Sequence, residues 1–151
     1  MEKVVISDAS CLIILSKIGQ LDLLQKVFGE VIVPKAVAQE YGETLPNWII
    51  ERSPAQDSLV FLLEETIDTG EANAIALAVE IGHCYLVLDD QKARKMAASI
   101  KIDFTGTLGI IISAKLRGII PAVKPIFDKI LLTDFRVSSK LIEETLRELG
   151  E

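Results

Sequence analysis

Hydrophobic residues in this chain follow two patterns, short unbroken runs and longer stretches with helical spacing. Short apolar runs bounded by Gly, Pro or Asp are typical of strands buried on both faces of a sheet. Strands are therefore predicted at Val4–Ile6, Val31–Val33, Tyr85–Leu88 and Ile102–Thr105, with a short edge strand at Trp48–Ile50. Helical spacing predicts Ala9–Lys17, Leu21–Phe28, Lys35–Tyr41, Glu71–Ile81, Gln91–Ser99, Thr107–Arg117, Ala122–Leu132 and Ser138–Leu149, with Leu59–Leu63 a short helix or an apolar loop.

Strands and helices alternate along the whole chain. This alternation is typical of α/β proteins, in which a parallel sheet carries helices on both faces. Residues 1–151 are predicted to form a single domain, because the sequence has no internal repeat, linker or low-complexity stretch and its length suits one domain.

Composition narrows the class of protein. Half of the residues are hydrophobic and the mean hydropathy is +0.38, which suits a sheet buried on both faces. No apolar stretch approaches the roughly 20 residues that span a bilayer, and the first residues do not resemble a signal peptide. Cys11 and Cys84 are too few and too far apart for a disulfide framework or a zinc site, so we expect buried thiols in a cytoplasmic protein.

The formal net charge of −6 restricts the partners. Non-specific binding to duplex nucleic acid depends on many Lys and Arg contacts to phosphate, so this charge argues against it. A nuclease remains compatible with the charge, because bound divalent cations would neutralise part of it locally.

Four acidic residues lie where this architecture brings them to one edge of the sheet. Asp8 follows the first strand, Asp90 follows the strand at Tyr85–Leu88, and Glu40 and Glu71 lie on predicted helices. The carboxyl ends of parallel strands share a crevice. A carboxylate cluster without a basic partner needs a cation at neutral pH, and Mg²⁺ and Mn²⁺ prefer oxygen ligands. The pattern therefore predicts a divalent-metal site and phosphodiester chemistry.

Ordinary structural roles compete with this hypothesis for two of the acids. Asp8 is placed to cap the following helix, although Ser10 is an alternative cap that would leave Asp8 for a metal. Asp68 and Glu71 have the spacing of a capping box, which by itself accounts for Glu71.

The other acids raise different questions. Glu40 lies in the last turn of its predicted helix, where a negative charge opposes the helix dipole, and this indicates another role. Asp89 and Asp90 are adjacent, and neighbouring side chains of an extended segment point to opposite faces. Only one of the two is expected to face the site, and the sequence leaves open which one.

Several segments match a known family in their order and spacing. They are Val5–Ser10, Val31–Pro34 with Glu40, Gly70–Ala78, Leu86–Asp90, Gly106–Gly109 and Phe135–Ser138. Together they resemble the PIN domain superfamily, and within it an uncharacterised prokaryotic PIN-like branch described as predicted nucleic-acid-binding. The resemblance covers nearly the whole chain, and it implies a three-layer α/β/α fold with a central parallel sheet.

The resemblance also implies an activity and its residues. PIN domains are Mg²⁺- or Mn²⁺-dependent ribonucleases, which implies a catalytic set of Asp8, Glu40, Glu71 and Asp90. Asp8, Glu71 and Asp90 are the expected metal ligands, with Ser10, Asp89 and Thr107 in support. The chain departs from the usual pattern at Glu71, where Asp is more common, and at Leu88, where toxins carry Thr.

The function predicted from this resemblance is a metal-dependent endoribonuclease acting on single-stranded RNA. The chain is then a candidate toxin of a toxin–antitoxin pair, with an antitoxin protein as partner, and a homodimer is expected. The alternative is a catalytically inactive PIN-fold protein that binds RNA or a protein partner. The apolar helices around Leu108–Leu116 and Ile126–Leu132 are candidate dimer faces, although Leu108, Ile111, Ile112 and Leu116 are predicted to be core.

Overall fold

Five short strands form one parallel sheet in the computed structural model, which describes residues 3–151. The strands are β1 (Val4–Ser7), β2 (Val31–Val33), β3 (Ile49–Glu51), β4 (Cys84–Val87) and β5 (Asp103–Thr105). Each predicted strand is present to within two residues at either end.

The helices connect these strands in the predicted order. They are α1 (Ala9–Lys17), α2 (Asp22–Phe28), α3 (Lys35–Tyr41), α4 (Asp57–Leu63), α5 (Thr69–Ile81), α6 (Gln91–Ser99), α7 (Thr107–Leu116), α8 (Lys124–Leu131) and α9 (Ser139–Glu148). The segment around Leu59–Leu63 is thus a helix rather than a loop.

The strand order is β3-β2-β1-β4-β5, and every pairing is parallel. The chain moves outward from β1 in one direction through β2 and β3, and then returns to pair β4 with the other side of β1. In the register of β1 with β4, Ser7 lies beside Val87, so both strands end at the same level. This reversal of direction opens a crevice at the carboxyl ends of β1 and β4.

Successive side chains of β1 enter opposite layers of the molecule. Val5 belongs to an apolar cluster with residues of α1, α2, α3, α7 and α8. Ile6 belongs to a second cluster with residues of α4, α5 and α6. The strands are buried on both faces because both layers cover the sheet, and this explains their unbroken apolar runs. The predicted three-layer α/β/α architecture is confirmed.

Helix α5 begins two residues earlier than predicted. Asp68 accepts a hydrogen bond from the Glu71 N–H, and the Glu71 side chain accepts one from the Asp68 N–H, so the expected capping box forms. The helix ends at Gly82, whose φ of 88° is the left-handed conformation that glycine adopts without strain. The alanines of α5 let it pack closely between its neighbours.

Helix α8 begins at Lys124, two residues later than predicted, because a distant side chain caps it. Glu151 accepts hydrogen bonds from the N–H groups of Val123 and Lys124, at 3.1 and 3.0 Å, and forms an ion pair with Lys115. The Lys115 ammonium, together with these N–H groups, lowers the pKa of Glu151 to about 2. We call this group of Lys115, Val123, Lys124 and Glu151 the C-terminal clasp.

Exposed leucines correct one sequence prediction. Ile111 is buried and Leu108 and Ile112 pack against the core as expected, but the side chain of Leu116 is 72% exposed. Leu132 is 88% exposed at the end of α8. Leu116 lies in the last turn of α7, beyond the helices that cover the rest of its apolar face.

Both cysteines are buried free thiols, as predicted. Among residues 3–151, no helix combines the length and the apolar character that crossing a membrane requires.

Candidate functional site

The carboxyl ends of β1 and β4 bring Asp8 and Asp89 together. Oδ2 of Asp8 accepts a hydrogen bond from the Asp89 N–H at 3.0 Å, and Oδ1 accepts one from the Cys11 N–H at 3.0 Å. Asp8 is therefore the N-cap of α1, and Ser10 lies half-buried in the first turn of that helix. Of the two capping alternatives for α1, the structure has Asp8.

Asp8 is electrostatically unfavourable as a carboxylate. Its side chain is 3% exposed, and burial raises its pKa to about 7, with the negative charge of Asp89 adding to the shift. Glu40 contributes a further, smaller repulsion. Two backbone hydrogen bonds oppose the shift but do not cancel it. A carboxylate in this state gains free energy from a nearby cation.

Asp89 is held by the first residue of α7. Its Oδ1 accepts a hydrogen bond from the Thr107 N–H at 2.9 Å, and its Oδ2 accepts one from the Thr107 hydroxyl at 2.6 Å. Thr107 is fully buried, so this contact fixes the Asp89 carboxylate in one orientation. The family resemblance implies supporting roles for Asp89 and Thr107, and in the structure the two residues are hydrogen-bonded to each other.

Glu71 reaches the same edge of the sheet from α5. Its side chain is 8% exposed, and its pKa is raised to about 8 by burial and by the charges of Asp68 and Asp90. The capping box and a buried acidic role are thus both present in one side chain. In the sequence these two roles are alternatives, whereas in the structure they coexist.

Asp90 and Glu40 occupy the rim of the site. Asp90 is exposed and caps α6 by accepting a hydrogen bond from the Ala93 N–H at 3.0 Å. Glu40 lies at the surface in the last turn of α3, and the partial burial of its carboxyl group, together with the negative charge of Asp68, raises its pKa. A Cβ built on Gly70 would lie 3.4 Å from Oε1 of Glu40, so the start of α5 and the end of α3 are in close contact.

Asp89 and Asp90 therefore divide the two roles that the sequence left open. Asp89 contacts Asp8 and Thr107, whereas Asp90 caps a helix and raises the pKa of Glu71. The predicted acids lie close enough along one edge of the sheet for their negative charges to interact. Nevertheless, among residues 3–151 no three His, Cys, Asp or Glu side chains converge closely enough to hold a metal ion.

The chemistry of the donors fits a hard divalent cation. The side chains are carboxylates, two of them buried with raised pKa values. Within the described part of the chain, Asp8, Glu71 and Asp89 form no ion pair with Lys or Arg. Mg²⁺ and Mn²⁺ favour such oxygen donors.

Arg94 also lies in this region, although it is not among the site residues that the sequence predicts. Its Nε donates a hydrogen bond to the Leu88 carbonyl at 2.7 Å, and its guanidinium lies 5.4 Å from the ring centroid of Phe104. A Cβ on Gly106 would lie 2.0 Å from Nη2 of Arg94 and 2.7 Å from Oδ1 of Asp89. Only glycine leaves space there for both side chains. The sequence signal was faint, an Arg one helical turn after Asp90 and a Gly before Thr107.

Comparison with known proteins gives one result that bears on the site. A family model described as a PIN domain matches residues 4–151, which include every residue discussed above. A comparison with curated proteins found no match.

Proposed function

We propose that this chain, which belongs to the PIN-domain family, is an endoribonuclease that uses Mg²⁺ or Mn²⁺ to hydrolyse phosphodiester bonds of single-stranded RNA. The PIN domain is a nuclease-type fold, and PIN domains generally use divalent metal ions. The narrower choice of RNA and of an endonucleolytic reaction follows from the family resemblance of the sequence.

One observation carries the proposal, namely that the buried carboxylate of Asp8 lies beside Asp89, which is half-buried. The Asp8 carboxylate has its pKa raised to about 7 by burial and by Asp89, at the crevice where the strand order reverses. A fold gains no stability from such a pair on its own, because like charges in a buried setting repel. Perturbed carboxylates in a crevice of this kind are typical of functional sites.

Each acidic residue has a proposed role in the reaction. Asp8, Glu71 and Asp90 would hold the Mg²⁺ or Mn²⁺ ion, which would supply a more acidic water and would compensate negative charge on the phosphate. Asp8 cannot turn freely, since each of its oxygens accepts a backbone N–H. Thr107 orients Asp89 beside it. Glu40 and Ser10 complete the proposed catalytic and supporting set at the rim.

Glu71 links cation binding to proton release. Its pKa of about 8 means that it carries a proton at neutral pH when no cation is bound. A carboxylate must be deprotonated to act as a ligand, so cation binding would expel this proton. Cation affinity is therefore expected to rise with pH across the range from about 7 to 8.

An alternative function is favoured by a separate observation. No three acidic side chains among residues 3–151 converge on one point, as a preformed metal centre would require. A PIN-fold protein that binds RNA or a protein partner without cleaving it fits that arrangement. The two functions differ in one measurable property, which is cleavage that depends on a divalent cation.

Three narrower expectations belong to the same proposal. A role as a toxin with an antitoxin partner follows from the resemblance alone. A cytoplasmic location follows from the number and spacing of the two cysteines. Homodimer formation has some support in the exposed Leu116 and Leu132, which present apolar surface at the ends of α7 and α8. Light scattering during size exclusion would measure the mass in solution directly.

The proposal is tested by incubating the chain with a pool of RNA. Cleavage of single-stranded RNA in Mn²⁺ or Mg²⁺ that stops when EDTA is added is the expected result. The Asp8→Asn variant, purified in the same way, controls for a contaminating nuclease. Cleavage that persists unchanged in Asp8→Asn would refute the site, and retention of uncut RNA by the wild-type chain would favour the alternative.

A further inference from the structure

A cavity of about 520 Å³ opens beside Asp89, which forms part of its lining. Its walls come from the start of α6, from β5 and the start of α7, and from residues 135–138 with the beginning of α9. The volume lies within the range of about 300–1,000 Å³ that is common for small-molecule sites. Asp89 lines both this cavity and the acidic site, so the two are continuous.

Two arginines give the cavity a positive charge that is unusual for this chain. Arg94 and Arg136 both line it, in a protein whose formal net charge is −6. Within residues 3–151, neither arginine forms an ion pair with Asp or Glu. Arg94 is fixed through Nε by the Leu88 carbonyl, which leaves the two terminal nitrogens of its guanidinium for another acceptor. Planar guanidinium groups bind phosphate oxygens well.

Two aromatic rings complete the cavity. Phe104 and Phe135 line it, and both side chains are half-buried, so part of each ring is accessible to a ligand. The guanidinium of Arg94 lies over the ring of Phe104 in a cation–π contact. Phe135 lies in the segment between α8 and α9. Aromatic rings beside cations are typical of surfaces on which single-stranded nucleic acid stacks its bases.

We propose that this cavity binds one nucleotide of the substrate strand, the neighbour of the nucleotide whose phosphate lies at the acidic site. Phe135 stacks on the base, and Arg94 and Arg136 bind the phosphate. The inference rests on the proposed function for the identity of the strand as RNA. It adds to that function a subsite that selects single strands, since a base paired in a duplex cannot enter a pocket and stack there.

The test uses adenosine 5′-monophosphate, which has no phosphodiester bond to cleave. Binding is measured by NMR titration in EDTA, for the wild-type chain and for Arg136→Gln and Phe135→Leu. Each substitution is expected to weaken binding about tenfold. Matched controls are Arg147→Gln and Phe61→Leu, which change an exposed Arg of α9 and an exposed Phe of α4 outside the cavity. The controls are expected to bind like the wild type.

Adenosine, which lacks the phosphate, separates the two roles. Its binding is expected to depend on Phe135 and to be indifferent to Arg136→Gln. A merely structural role for Arg136 would instead weaken both ligands equally. Should Phe135→Leu fail to fold, the exposed Arg136 carries the test alone, because its side chain lies outside the core.

Two results would overturn the subsite. One is the absence of saturable binding by the wild type up to about 10 mM nucleotide. The other is an equal affinity in all the variants. Neither result depends on cleavage, so the proposed nuclease function is judged separately by its divalent-cation assay. A chain that binds the nucleotide as described but cuts no RNA would keep the subsite and lose the nuclease.

Discussion

Asp8 and Glu151 each accept hydrogen bonds from two backbone N–H groups, yet their pKa values move in opposite directions. Asp8 is buried beside another carboxylate, and its pKa rises to about 7. Glu151, whose side chain is 12% exposed, is paired with Lys115, and its pKa falls to about 2. Backbone donors alone therefore do not decide the charge of a carboxylate. The C-terminal clasp contains its own cation, Lys115, whereas no Lys or Arg among residues 3–151 forms an ion pair with Asp8 or Asp89.

The largest expected difference between the two carboxylates is in catalysis. Asp8→Asn should reduce cation-dependent RNA cleavage at least about 10³-fold, because it removes a charged ligand while keeping the shape of the side chain. Glu151→Gln makes the same kind of change in the C-terminal clasp and should leave the cleavage rate within about twofold of the wild type. Initial rates on one single-stranded RNA measure both. Equal losses in the two variants would mean that the Asp8 effect is not specific to the site.

Added cation should affect stability through the acidic edge alone. At about 100 times its dissociation constant, Mn²⁺ is expected to stabilise the wild type by about 2.7 kcal/mol, which corresponds to roughly 5–10 °C in Tm. Asp8→Asn combined with Asp90→Asn should abolish this shift. Thermal melts and calorimetric titration at pH 8 provide the measurement. The same shift in the double variant would place cation binding elsewhere.

The pH dependence of stability tests the raised pKa of Glu71. Because its pKa is about 8 in the folded chain and about 4.5 otherwise, its stabilising contribution is fully present below pH 4.5 and is lost as the pH rises through about 8. Glu71→Gln keeps the acceptor of the capping box and removes the charge. In EDTA its Tm should match the wild type at pH 4.5 and exceed it by about 5 °C at pH 9.

The exposed Glu144→Gln of α9 is the matched control for this experiment and should show no such dependence. A Glu71→Gln variant that is less stable than the wild type at pH 9 would contradict the raised pKa. Added Mn²⁺ should reduce the advantage of the variant, since the cation compensates the charge that the wild type carries.

The smallest expected effect concerns the C-terminal clasp, and its sign is opposite. Because the pKa of Glu151 is lowered to about 2, its contribution is present above pH 4.5 and is lost as the pH falls through about 2. Glu151→Gln should lower Tm by about 2 °C at pH 7, with a difference that shrinks in acid. Glu148→Gln, an exposed change in α9, is the control. A constant difference at all pH values would show that charge plays no part.

Much of the fold follows from the sequence because its signals are local. Unbroken apolar runs predicted the strands, and the spacing from Asp68 to Glu71 predicted the capping box that forms. The start of α8 could not be predicted in this way. Its capping group is Glu151, which lies 27 residues further along the chain from Lys124. The exposed side chain of Leu116 likewise depends on which helices cover α7.

The candidate site shows the same limit. The positions of the four acids at the ends of strands and on helices indicated one edge of the sheet. The contact between Asp8 and Asp89 depends on the register of β1 with β4. The hydrogen bonds that orient Asp89 depend on the position of Thr107 after β5. Arg94 joins the region through the Leu88 carbonyl and the space left by Gly106. Pairings of this kind are set by tertiary structure, which residue spacing does not encode.

The central pairing of β1 with β4 also decides whether the acidic edge exists at all. The hydrogen bond from the Asp89 N–H to Asp8 joins residues that are 81 positions apart in the chain. Closing so long a loop costs entropy, and pairing the two strands also brings two negative charges together. The acidic edge is therefore a property of the assembled sheet, and any change that separates β4 from β1 would disperse its charges.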